Sequence, residues 1–141
     1  MQEKEREEIV RYWADYYARS AFRNKIGIKL DSLSEEGAVL HIDVDPEFHW
    51  QTANIVHGGV IATLIDSAIS TAARWFMQKG QRTVTTDLNI HYLRPAVGEK
   101  LTAKAKISHA GKSLMFGTCE VYAGDKKVAF GSASYRVLDM V

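Results

Sequence analysis

Between Gly58 and Lys79 the chain is rich in Ala, Ile and Leu and shows no polar face of any width, while the segments around it alternate apolar and polar residues. A helix of that kind must be buried on most sides, and a sheet wrapped round it supplies the apolar surface. The flanking segments provide such a sheet. Ile26, Ile28 and Leu30 alternate with Gly27 and Lys29, Ser34 to Gly37 reads as a turn, and Ala38, Leu40, Ile42 and Val44 resume the alternation, which predicts an antiparallel hairpin. Period two returns at Val84, Thr86, Leu88, Ile90 and Tyr92, then at Leu101, Ala103, Ala105 and Ile107, and again over about Ser113 to Ala123 and Lys127 to Leu138. Short Gly-containing turns between these strands predict a meander. The expected fold is therefore α+β, an antiparallel sheet of five or six strands wrapped around one long central helix. Ile9, Val10, Trp13, Tyr16 and Tyr17 add an amphipathic N-terminal helix that ends near Ser20.

Composition sets the outer limits. With 141 residues, 46% of them apolar, the chain suits one domain over 1–141, divided into an N-terminal segment 1–22 and a core 25–138. Such a domain buries roughly 70% of its unfolded surface and needs no disulfide or metal to hold together. Cys119 is the single cysteine, so no internal disulfide or cysteine zinc cluster is expected, and the cytoplasm is the expected compartment. A net charge of +1 without a basic stripe argues against nucleic acid. Asp66 and Arg74 make the apolar stretch too polar to span a membrane.

Asp66 is the anomaly in that stretch, because a buried carboxylate costs several kcal/mol, on the order of a whole domain's net stability, unless partners are supplied. It is explained either by polar contacts at a wet edge or by function. Just before it, Gln51-Thr52-Ala53-Asn54-Ile55-Val56-His57-Gly58-Gly59 leads into the helix. Two glycines at a helix start let a ligand approach the backbone, where N–H groups and the positive end of the dipole favour an oxyanion. The same glycines equally suit a tight turn, and His57 suits either a brace for the loop or proton transfer. Gly58 and Asp66 are eight residues apart, about 12 Å along a helix axis at 1.5 Å per residue, so one carbonyl cannot meet both on one chain. A twofold homodimer resolves this by lending the hole from one copy and the acid from the other.

His57-Gly58-Gly59 opening the helix, with Asp66 nine residues after the histidine, resembles the hotdog-fold acyl-CoA thioesterases of the phenylacetic acid degradation (PaaI-like) branch. Val84-Thr85-Thr86-Asp87-Leu88-Asn89-Ile90-His91-Tyr92-Leu93-Arg94-Pro95 is similar to that branch's strand after the helix. The resemblance covers residues 25–138 and implies hydrolysis of acyl-CoA to free acid and coenzyme A. It implies Asp66 as nucleophile or general base and the Gly58 N–H as oxyanion donor from the opposite subunit. Gln51 stands where the family has a side-chain amide, and Thr85 near a hydroxyl that orients the lytic water, with Ser70 as the competing hydroxyl. The branch commonly has Gly where this chain has Asn54, which tolerates positive φ and is an alternative source of the amide. A homodimer, and a dimer of dimers, would follow the family's habit.

The chemistry suits these residue types. A thiolate whose conjugate acid has a pKa of about 8.5 leaves readily, so one carboxylate and a hydrogen-bond hole suffice. No metal or cofactor is expected, coenzyme A being part of the substrate. Gly111-Lys112-Ser113 at a strand turn, and Arg94 before Pro95, are candidate phosphate contacts, each also readable as a solvated turn. Gly59 and Ser70 join these in the substrate-binding set, while Gly58, His57, Gln51, Asn54 and Thr85 are grouped with Asp66 as catalytic candidates. Two other functions compete: a hotdog hydratase or dehydratase acting on acyl thioesters, and a non-catalytic acyl-CoA-binding module.

Overall fold

The computed structural model describes residues 1–139; Met140 and Val141, the end of the expected domain, lie outside the described residues. Helices α1 (Glu3–Ala18) and α2 (Ala21–Ile26) lead into a hairpin of β1 (Ile28–Ser34) and β2 (Gly37–Asp43). A smaller hairpin, β3 (Trp50–Thr52) and β4 (Ile55–Val56), precedes α3 (Gly58–Arg74), and β5 (Gln81–Tyr92), β6 (Lys100–Ala110), β7 (Leu114–Ala123) and β8 (Lys126–Asp139) follow it. Six strands form one antiparallel sheet in the order β1, β2, β6, β7, β8, β5. The sheet packs around α3, where Leu64, Ile65, Ala68, Ile69, Ala72 and Ala73 lose all contact with solvent. The helix lies close. A Cβ on Gly117 in β7 would stand 2.7 Å from Ile69 Cγ2, so the missing side chain seats the helix against the sheet.

Several expectations are corrected. The four late strands do not form a simple meander: β6, β7 and β8 do, but β5 crosses to the far side of β8 and makes the sheet's edge. Proximity in sequence predicts a neighbour, yet the connection from Leu93 to Glu99 is long enough to carry the chain across. Helix α3 stops at Arg74 rather than Lys79, because from Trp75 onward the amides bond three residues back, Phe76 N–H to the Ala73 carbonyl and Met77 N–H to that of Arg74. The helix also keeps a narrow half-buried seam through Thr63, Asp66, Ser67 and Ser70. Helix α2 was not foreseen, since six residues are too short for a period, although its Ser20 cap and left-handed Gly27 (φ 87°) were visible as signals.

The N-terminal helix closes one end of the wrapped core through its aromatic stripe. Trp13 is buried, and the guanidinium of Arg74 lies 4.6 Å from its ring centroid while Arg74 Nε donates to the Tyr17 hydroxyl at 2.8 Å. Further donation to the Gln81 carbonyl (3.2 Å) and Thr83 Oγ1 (3.4 Å) satisfies a charge that sits 4% exposed. Removing the indole would open a cavity beneath α1 and strip one face from Arg74. Trp13→Ala is expected to cost about 3–5 kcal/mol, read as a lower denaturant midpoint at unchanged slope.

Candidate active site

The chain enters α3 through β3 and β4, whose tight turn puts Asn54 at φ 60°. Asn54 thus serves as the turn residue that positive φ requires, while Gln51, on β3, lines the cleft beside the helix start. At that start His57 is the N-cap: its Nδ1 accepts the Gly59 N–H at 2.8 Å, and its carbonyl accepts the Val60 N–H at 3.0 Å. The Gly58 N–H has no acceptor among the described residues. It is the one amide of the three left open, at the positive end of the dipole. The Gly58 carbonyl is held in turn by the Tyr92 hydroxyl at 2.7 Å.

Asp66 lies two turns further on, in the half-buried seam of α3. Its Oδ1 accepts from Thr85 Oγ1 at 3.0 Å and from the Tyr135 hydroxyl at 2.8 Å, and the same hydroxyl reaches the Asp66 carbonyl at 2.8 Å. Oδ2 has no partner among the described residues. Thr85 and Tyr135 face each other across the β5–β8 ladder, so the two strands bracket the carboxylate from opposite sides. A bulge between Thr85 and Asp87 makes this possible. It turns Thr83 and Thr85 toward the helix and still lets Leu88 and Ile90 pack on the core, where unbroken alternation had put Val84 and Thr86 on their face. Ser70, the competing hydroxyl, donates instead to the Ser67 carbonyl at 3.0 Å.

Sequence reasoning missed Tyr135. Its signal was an inward position in β8 between Ala133 and Val137, since a buried tyrosine hydroxyl needs an acceptor. Burial, reinforced by the charge of Asp66, pushes its pKa far above the usual phenol range, so it remains a donor. Tyr135→Phe keeps the ring and removes a donor shared by a carboxylate and a carbonyl. A loss of about 1–3 kcal/mol is expected in the denaturant midpoint.

These groups line two separate clefts on the one chain. One, of about 520 Å³, is bounded by Gln51, His57, Gly58, Gly59 and Arg94. The other, of about 470 Å³, is bounded by Asp66, Ser70 and Thr85 together with Arg23 and Tyr17. No residue lines both. Gly111 and Lys112 lie in the turn between β6 and β7 beside a third cleft, of about 440 Å³, that shares no lining residue with either. Ser113 in that turn accepts the Val137 N–H at 2.8 Å through its carbonyl. His49, in the turn before β3, is buried, its Nδ1 accepting from the Asp45 N–H (2.8 Å) and its Nε2 bonded to the Ile26 carbonyl (2.7 Å). Burial raises the Cys119 thiol to about 12, leaving it protonated and unsuited to nucleophilic work. No helix of the described residues is long and apolar enough to cross a membrane.

The chain's likenesses are consistent with one another. A model of the thioesterase superfamily matches residues 53–130. Acyl-coenzyme A thioesterase 13 of Mus musculus is 36% identical over 95 residues, which make up 67% of this chain and 66% of that protein. The medium/long-chain acyl-CoA thioesterase YigI of Escherichia coli is 30% identical over 132 residues, covering 82% of this chain and 84% of that one. Among solved structures, the E. coli PaaI protein from the phenylacetic acid degradation operon superposes with a TM-score of 0.82 at 25% identity, over 94% of this chain and 95% of that chain.

Proposed function

Because this chain belongs to the thioesterase superfamily and has its hotdog fold, we propose that it hydrolyses acyl-CoA to a free carboxylic acid and coenzyme A. The separation of the two half-sites carries this reading: an open amide at Gly58 and an unpartnered carboxylate oxygen on Asp66 line clefts that share no residue. Each half lacks what the other holds. We therefore assign the active unit to a homodimer, in which Gly58 of one subunit faces Asp66 of its partner. The edge strand β5 supports this, running twelve residues with Val84 and Tyr92 about half exposed and no strand on its outer side among the described residues. Pairing β5 with its copy would continue the sheet across the twofold. The exposed Leu114, Phe116 and Phe130 on the sheet's outer face would serve a dimer of dimers.

In the proposed reaction the Gly58 N–H donates to the thioester oxygen, and its bond strengthens as negative charge gathers there. Asp66 Oδ2 is the reactive oxygen, because Oδ1 is held by Thr85 and Tyr135. As a base it takes a proton from water attacking the carbonyl carbon; as a nucleophile it attacks that carbon itself and yields an anhydride that water cleaves. Both routes expel the coenzyme A thiolate. Label left in Asp66 after a single turnover in ¹⁸O-water would establish the nucleophilic route, since only cleavage of the anhydride at the aspartate carbonyl can put it there. Arg94, beside the Gly58 cleft, and Lys112 are the cations we assign to coenzyme A phosphates. No metal or cofactor enters this scheme, and the cytoplasm is the compartment we propose for it.

Engagement of His57 Nδ1 by the Gly59 N–H favours hydrolysis over a hydratase, which relies on a histidine for proton transfer. The test is release of free thiol from a panel of aromatic and short- to long-chain acyl-CoAs. Saturable release from at least one member is the expected result; none from any would overturn the proposal in favour of a binding module or a hydratase.

A further inference from the structure

The Asp66 cleft has a second charged wall that the hydrolytic scheme does not use. Arg23, on α2, is only 7% exposed, stacks 3.4 Å over the Tyr17 ring centroid, and lines the same cleft as the carboxylate. One nitrogen, Nη2, makes all its hydrogen bonds: to the Ser67 carbonyl at 2.9 Å, to Thr71 Oγ1 at 2.8 Å and to Ser70 Oγ at 3.5 Å. Nη1 and Nε donate to nothing among the described residues. Among the described residues no side-chain nitrogen or oxygen sealed from solvent lacks a partner, so these two donors keep access to solvent in the cleft that Arg23 lines. Neither Arg23 nor Arg74 is in an ion pair with a carboxylate among the described residues. Two guanidiniums thus stand against the single carboxylate of Asp66 in the wall of one cleft.

A brace for α2 would need only Nη2. Spare donors on an uncompensated, nearly buried guanidinium fit an anionic acceptor, and a carboxylate matches the planar fork. Resting on the thioesterase reading above, we propose that Arg23 is a specificity-determining residue that binds a terminal carboxylate on the acyl chain. The preferred substrates are then ω-carboxyacyl-CoA thioesters. The spacing sets their length. Arg23 meets α3 at Ser70, one turn or ~6 Å beyond Asp66, a gap that an acyl chain of roughly four to six carbons spans.

Adipyl-CoA and hexanoyl-CoA share one acyl length and differ at the far end, a carboxylate in the first and a methyl in the second. The wild-type protein is expected to show a kcat/KM for adipyl-CoA at least about tenfold above that for hexanoyl-CoA. Arg23→Met should lower the adipyl-CoA value by on the order of tenfold to a hundredfold and leave hexanoyl-CoA within about threefold, whereas a merely structural arginine would lower both alike. Arg23→Lys should recover part of the preference. Equal or better hydrolysis of hexanoyl-CoA by wild type overturns the proposal without recourse to any variant, and so does a preference unchanged in Arg23→Met. Calorimetric titration of wild type with the same pair covers the remaining case. If neither thioester is hydrolysed, tighter binding of adipyl-CoA would uphold the role of Arg23 and equal binding would sink it, while the thioesterase reading stands or falls on the full panel of acyl-CoAs.

Discussion

Asp66→Asn is expected to lower kcat by about a thousandfold, the middle of what a positioned acid–base group contributes, with KM changed little. Asparagine has nearly the shape of aspartate, and its Oδ1 can still accept from Thr85 and Tyr135, so the bracket between β5 and β8 survives. What disappears is the charge on the second oxygen and its ability to take a proton or attack carbon. Folding should therefore be preserved, and a thermal melt run beside the thiol-release assay checks that. Alanine would confuse the two effects, because it also removes the oxygen that Thr85 and Tyr135 hold between β5 and β8. A loss smaller than about tenfold in the asparagine variant would remove Asp66 from the chemistry and return it to the role of a polar contact at a wet edge.

Asp66 was legible because it breaks a pattern: one carboxylate in a run of Ala, Ile and Leu stands out without any knowledge of the fold. The glycines were legible for the same reason, lying where alternation gives way to a helix. Tyr135 and Thr85 were much harder to place, since they meet Asp66 only through the β5–β8 pairing, and the edge position of β5 is a long-range choice that local periodicity does not encode. The bulge after Thr85 compounds this, reversing the inward face within a single strand. Arg23 was hidden differently. Its neighbours look like a linker, and only the folded α2 brings its guanidinium against α3, more than forty residues away in sequence. The wrapped helix, by contrast, depends on composition summed over many residues, and such sums tolerate errors at the ends, including the misplaced stop at Lys79.

Gly58→Pro removes the open amide without disturbing what surrounds it. Proline is favoured at the first position of a helix, and His57 before it already holds φ −59° and ψ 134°, the extended geometry that a following proline demands. A Cβ at this position would stand 3.4 Å from the ring and hydroxyl of Tyr92, at the near limit of ordinary contact. With the fold kept, losing one oxyanion donor should cost on the order of a hundredfold to a thousandfold in kcat. The decisive measurement mixes this variant with Asp66→Asn. A dimer carrying one chain of each has a first site with the intact Gly58 of one and the intact Asp66 of the other, and a second site with neither. Such a hybrid should regain about half the wild-type rate although both parents are nearly dead, because the proposed site takes one half from each subunit. If donor and acid instead worked within one chain, every site in the hybrid would lack one of them, and mixing would restore nothing.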